Sequence, residues 1–129
     1  MTLRTIISIV GGLFLLRVGI LHFTDTGWFE PIVPPMFGSA TFWVLVSGAA
    51  EIIIGLGLIL PRTRKIAGYA CAALLVGVYP ANIYMWMYDI ELGDGTSLSP
   101  TGHVVRLLLQ LIGIAISLWI ARNPSESKI

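Results

Sequence analysis

Four apolar stretches divide the chain, with most of its polar residues gathered in the segments between them. Leu3 to Phe23, Phe42 to Leu60, Ile66 to Tyr88 and His103 to Ala121 each meet the length, about 20 apolar residues, that a helix needs to cross the hydrocarbon core of a bilayer. Lipid offers backbone groups no hydrogen-bond partner, and the stretches lack the apolar/polar alternation of membrane barrel strands, so the pattern predicts helices. The expected fold is all-α, an integral membrane four-helix bundle forming a single transmembrane domain over residues 1–129. Arg4 ahead of an apolar run resembles the start of a signal peptide. Arg17 and His22 interrupt the end of that run and no small-x-small cleavage site follows, so it is read as the first span.

The charges between the spans orient them. Pro61-Arg62-Thr63-Arg64-Lys65 is a tight basic turn, whereas residues 24–41 and 89–102 hold no Lys or Arg but do hold Asp25, Glu30, Asp89, Glu91 and Asp94. The positive-inside rule puts the turn in the cytoplasm, and Arg4, Arg122 and Lys128 put both termini there with it. The expected location is the cell membrane, crossed several times. Trp28, Phe29, Trp43, Trp86, Tyr88 and Trp119 fit interfacial belts and need no other role. The segment 24–41, with Pro31, Pro34 and Pro35 among Ile32, Val33, Met36 and Phe37, is too apolar to float in water and is expected to cap the bundle or dip into the interface. The second outer segment, Gly93 to Gly102, reads as a polar turn containing Thr96.

Composition narrows the function. The chain is 56% hydrophobic and 12% charged, with a mean hydropathy of +0.86, more apolar than a soluble domain tolerates. A net charge of +1 without a long basic run argues against nucleic acid as a partner. One cysteine, Cys71, makes neither a disulfide nor a CxxC pair, and no metal site is expected, so redox chemistry would need a borrowed cofactor.

Charged residues inside spans cost about 2.5 to 3.5 kcal/mol each on insertion scales and usually face the bundle interior. Arg17, Glu51 and Arg106 are such residues, and because the helices alternate in direction all three fall in the outer half. Helical spacing puts Ser47, Gly48, Glu51 and Gly55 on one stripe, and His103, Arg106, Gln110, Gly113 and Ser117 on another. Pro80 cannot donate to the Val76 carbonyl and predicts a local break, with Asn82 at similar depth. Two arginines against one glutamate leave this cluster at +1, which a small anionic or electron-rich guest would complete, unless Asp25 or Asp89 folds over it. The candidate ligand-binding residues are therefore Arg17, His22, Glu51, Asn82, Arg106 and Gln110. The plainer alternative is structural glue, with Glu51 neutralising Arg17 or Arg106 and the two amides filling leftover hydrogen bonds. Arg17 and His22 lie about 140° apart around their helix, so they share a cavity only if it is wide or the helix end unwinds. His22 suits ligand contact and a hydrogen bond to the first outer segment equally, His103 suits an interfacial or capping role, and Cys71, Met85, Trp86 and Met87 suit packing.

The series Arg17 to His22-Phe23, Pro34, Ser47-Gly48-x-x-Glu51 with Gly55, Gly57 and Leu58, Pro61 with Thr63-Arg64, Ala67, and Pro80-x-Asn82 resembles the DoxX-like family of small four-helix membrane proteins. That resemblance implies a redox-associated membrane subunit: relatives are associated with thiosulfate:quinone oxidoreduction, with complexes handling oxidative and thiol stress, or with receptor assembly. Three functions follow as expectations. The first is a quinone-linked or sulfur-oxyanion-linked oxidoreductase subunit, with a quinone as the candidate cofactor and a redox protein as partner. There Arg17 and Arg106 hold the guest while Glu51 and His22 balance protons. The second is a non-catalytic binding protein or carrier for a small amphipathic molecule or lipid, and the third an assembly partner or chaperone of another membrane complex.

Overall fold

In the computed structural model, which describes residues 2–95 and 97–122, each apolar stretch is a helix. Helices α1 (Leu3–Thr24), α3 (Ala40–Ile59), α4 (Arg64–Met87) and α5 (Pro100–Arg122) are long and apolar enough to cross a membrane, and α2 (Thr26–Phe29) is a single turn following α1. Thr96 and Lys128 lie outside the described residues. Hydroxyl caps start three of the long helices: Thr2 accepts from the Thr5 N–H (3.2 Å), Ser39 from Phe42 (3.2 Å) and Ser99 from Gly102 (3.1 Å). With Pro100 suited to a first helical position, the Ser99 cap begins the last helix ahead of His103, where hydropathy alone starts it.

The two ends of the bundle differ. At one, the turn end, the connection from α3 to α4 is a single 3-10 turn, Pro61–Thr63, and Arg64 and Lys65 already belong to α4. Arg64 donates through Nε to the Leu58 carbonyl and through Nη2 to that of Ile59, both at 2.9 Å. Arg4 donates through Nη1 to the Ile120 carbonyl at 3.4 Å. Both guanidinium groups thus serve carbonyls at helix C-termini that lack a helical N–H, where positive charge is also favoured by the dipole. Opposite lies the loop end, where the segment between α1 and α3 folds over the helices.

Burial is inverted relative to a water-soluble bundle. Ser8, His22, Gln110 and Ser117 are buried, while Leu13, Phe14, Ile53, Ile66, Leu109 and Ile112 are exposed. Such a surface suits lipid, and with four helices long and apolar enough to cross a membrane the chain has the build of a multi-pass membrane protein. Because lipid removes the hydrophobic drive between helices, close backbone approach does the packing. α1 lies along α3 and α4 along α5, and the two pairs meet through α3 and α4. A Cβ on Gly12 would stand 2.5 Å from the Gly55 carbonyl oxygen, one on Gly19 2.8 Å from that of Gly48, and one on Gly68 2.9 Å from that of Ser117. Near the turn, a Cβ on Gly57 would meet the Ala67 Cβ at 2.8 Å. Ile54, Leu58, Ala67, Cys71 and Ile120 form the core between these contacts.

Candidate functional site

Toward the loop end the helix pairs enclose a cavity of about 830 Å³. Its walls come from Phe14, Val18 and His22 of α1, Val44, Ser47 and Glu51 of α3, Gly77, Ala81 and Asn82 of α4, and Arg106 of α5. Trp28, Phe29, Ile32, Val33, Pro34 and Phe37 roof it, joined by Leu92 and Leu98.

The roof follows from its sequence. Prolines 31, 34 and 35 prevent a long helix, leaving α2 and the 3-10 turns Glu30–Ile32 and Pro35–Phe37. The Thr41 hydroxyl donates to the Glu30 carboxylate, and Trp43 Nε1 donates to the Phe37 carbonyl at 2.8 Å, pinning the segment to the start of α3. From the other loop, the Gly93 N–H donates to the Trp28 carbonyl at 3.0 Å, and Gly93 sits so close to the Gly27 backbone that no side chain fits there. The expected cap is therefore present, and Trp28, Phe29 and Trp43, which interfacial anchoring alone accounts for in the sequence, line the cavity.

His22 and Glu51 form one polar pole. His22 Nδ1 lies 2.7 Å from the Val18 carbonyl, which can only accept, so Nδ1 carries the hydrogen and a neutral ring leaves Nε2 bare. The ring stacks on Phe29 with centroids 3.9 Å apart. Nε2 stands 3.7 Å from Glu51 Oε1, an approach that a proton on either group makes favourable. Glu51 Oε2 is buried and has no hydrogen-bond partner among the described residues. Helix α3 can bring a carboxylate here because Gly48, one turn away, lets α1 come so close that a Cβ on it would lie 2.5 Å from the His22 Cβ.

Arg106 forms the second pole, held by a relay of amides. Its Nη2 donates to Asn82 Oδ1 at 2.7 Å and its Nη1 approaches Met85 Sδ at 2.7 Å. Asn82 Nδ2 donates to Gln110 Oε1, and Gln110 Nε2 donates to the Leu75 carbonyl at 2.6 Å. The helix continues through Pro80 instead of breaking, and Gln110 of α5 takes the Leu75 carbonyl, the neighbour of the Val76 carbonyl that Pro80 cannot serve.

Of the six candidate residues, His22, Glu51, Asn82 and Arg106 line the cavity. Gln110 stands behind Asn82 and orients it. Arg17 is not in the cluster: it is exposed and borders a shallow groove with Leu13, Leu16, Ile20 and Leu21 on the outside of α1. The 140° that separates it from His22 is the reason, since α1 does not unwind before Thr24 and turns only one of the two inward. This removes the expected +1, for the cavity carries one guanidinium and one carboxylate. Glu51 makes no ion pair with either arginine among the described residues, so neutralisation by direct contact does not describe the cluster. Neither Asp25 nor Asp89 lines the cavity; Asp89 Oδ1 lies 3.8 Å from His103 Nε2. His103 is itself buried and stacked on Trp86, with ring centroids 5.8 Å apart. Met85, expected only to pack, is fully buried and also receives Arg106.

Fold and site together define a multi-pass helical membrane protein with a mostly apolar cavity that has a carboxylate and a guanidinium in its walls. The chain belongs to the family described as Domain of unknown function (DUF8561), whose profile matches residues 11–121 and so includes every cavity residue named above. No curated protein and no solved structure matches the chain.

Proposed function

We propose that this protein is a quinone-binding membrane subunit of an oxidoreductase, set in the cell membrane with its loop end outside and both termini in the cytoplasm. The observation that carries the reading is Glu51 Oε2, a buried carboxylate oxygen that has no hydrogen-bond partner among the described residues, in the wall of a largely apolar cavity. Leaving such an oxygen desolvated is costly, and a guest hydroxyl offsets the cost. The fit extends to the rest of the site. About 830 Å³ is within the roughly 300–1,000 Å³ of small-molecule pockets. Trp28, Phe29, Phe37 and Trp43 offer flat aromatic surface, and Arg106 is a donor held in place by Asn82. A neutral head group suits walls of balanced charge better than a sulfur oxyanion does, because Arg17 is absent from them.

In this reading Arg106 donates to the carbonyl of the oxidised head group. Glu51 accepts from the hydroxyl of the reduced one, and His22 Nε2 is the next acceptor for that proton at 3.7 Å. Such a head group would supply two-electron, two-proton chemistry when bound: the first proton would pass through Glu51 to His22 Nε2, the second would remain on Glu51, and the two electrons would go to a redox partner. The DoxX-like motifs and the Lys/Arg distribution support the redox association and the orientation. Titration of lipid nanodisc samples with tetramethylbenzoquinone and its hydroquinone, followed by quenching of Trp28 and Trp43, tests the reading. Arg106→Leu is expected to weaken the quinone, and Glu51→Leu the hydroquinone, by about ten- to a hundredfold, the worth of a charge-assisted hydrogen bond. Saturable quenching unchanged in both variants refutes it.

Arg17 favours a second role as an assembly partner within the same complex. It lies in an apolar span, exposed, with no hydrogen bond or ion pair among the described residues, and an acidic group on a neighbouring subunit would relieve the insertion cost. Arg17→Leu should then lose a co-purifying subunit and keep quinone binding; retention of every co-purifying subunit refutes this role.

A further inference from the structure

The cavity is roofed by loops at the loop end, whereas one place in its side wall carries no side chain. Two interlocked loops make the roof, joined at Trp28 and Gly93, with Leu92 buried beneath. In α4 the opposite holds. Gly77 lines the cavity, is exposed, and has no atom within 4 Å of the place a Cβ would occupy. It lies roughly ten residues, or about 15 Å, inside the Met87 end of α4, well within hydrocarbon depth. The contrast with the other end of the same helix is sharp: at Gly57 and Ala67, beside the turn, α3 and α4 touch so closely that a methyl group would not fit between them. The two helices are in close contact at the turn end, and nothing packs against Gly77 higher up.

Resting on the proposed quinone site, we infer that Gly77 marks a lateral portal through which the guest enters from the bilayer, and that its occupant is a long-tailed, membrane-dissolved quinone whose tail lies across Gly77 into lipid. The missing side chain is what keeps the wall open. A leucine there has room, gains helix propensity and does not disturb packing, yet places its side chain in the tail's path.

The test compares wild type, Gly77→Leu and Gly11→Leu in nanodiscs, with a decyl-tailed benzoquinone and tail-free tetramethylbenzoquinone as probes. Gly11 is the control because it too has nothing within 4 Å but does not line the cavity. Gly77→Leu should weaken the decyl-tailed probe about tenfold more than the tail-free probe, equivalent to displacing about two buried methylenes. Gly11→Leu should match wild type with both. Equal affinity of the tailed probe for wild type and Gly77→Leu overturns the portal, as does equal weakening of both probes or an equal loss in Gly11→Leu. Failure of both probes to bind wild type overturns the quinone site itself, and the portal with it.

Discussion

Gly48→Ala connects helix packing to the site through one methyl group. The added Cβ would lie 2.5 Å from the His22 Cβ and 3.1 Å from the Gly19 carbonyl oxygen. Carbon atoms in good contact sit about 3.5–4.0 Å apart, so α1 and α3 must part by at least about 1 Å. His22 has little freedom to absorb this, since Nδ1 is tied to Val18 at 2.7 Å and the ring is stacked on Phe29. The movement therefore carries Nε2 away from Glu51, where the approach is already 3.7 Å. Overpacking of this kind costs about 1–3 kcal/mol. Reversible unfolding in mixed micelles, driven by an anionic detergent and followed by tryptophan fluorescence, reads that loss. Gly11→Ala is the matched comparison, because a methyl there meets nothing within 4 Å and replacing glycine in a helix gains up to about 1 kcal/mol. Equal stability of the two variants refutes the packing account, and with it the claim that close approach at Gly48 sets the His22–Glu51 geometry.

Gln110→Leu removes the link between Asn82 and the Leu75 carbonyl and should cost about 1–2 kcal/mol in the same unfolding assay, while weakening quinone affinity through the loosened Arg106; wild-type values for both refute the relay. Arg17→Leu should leave quinone affinity unchanged in nanodiscs, in contrast with Arg106→Leu, and equal losses would mean that α1 is rotated from the orientation described. Orientation is open to thiol labelling in intact cells. Asp94→Cys should react with a membrane-impermeant maleimide at once and Lys65→Cys only after permeabilisation, with buried Cys71 contributing little background; the reverse order would invert the topology.

The long helices are legible in the sequence because the thickness of a bilayer sets their length, and hydroxyl caps only adjust their ends, as Ser99 does for α5. Glu51, Asn82 and Arg106 are legible as a cavity group because the cost of burying them in lipid demands a shared polar interior. Arg17 misleads for a physical reason: depth along a span follows from counting residues, but the inward face does not follow from charge. The inward face of α1 carries Ser8, Gly12, Gly19 and His22, a stripe of mostly small residues, and the spacing between Arg17 and His22 already placed them on different sides. The roof was foreshadowed only by its apolarity, since its prolines leave no periodicity from which to read a face. Met85 as a partner for Arg106 has no sequence signal, because a thioether in an apolar run looks like any other packing residue.

Native mass spectrometry of the protein released from its own membrane in mild detergent tests the central claim most directly. Wild type should carry a bound prenylated quinone, lost in Arg106→Leu and retained in Arg17→Leu. Wild type emerging without a quinone, or Arg106→Leu retaining one at full occupancy, would contradict the account.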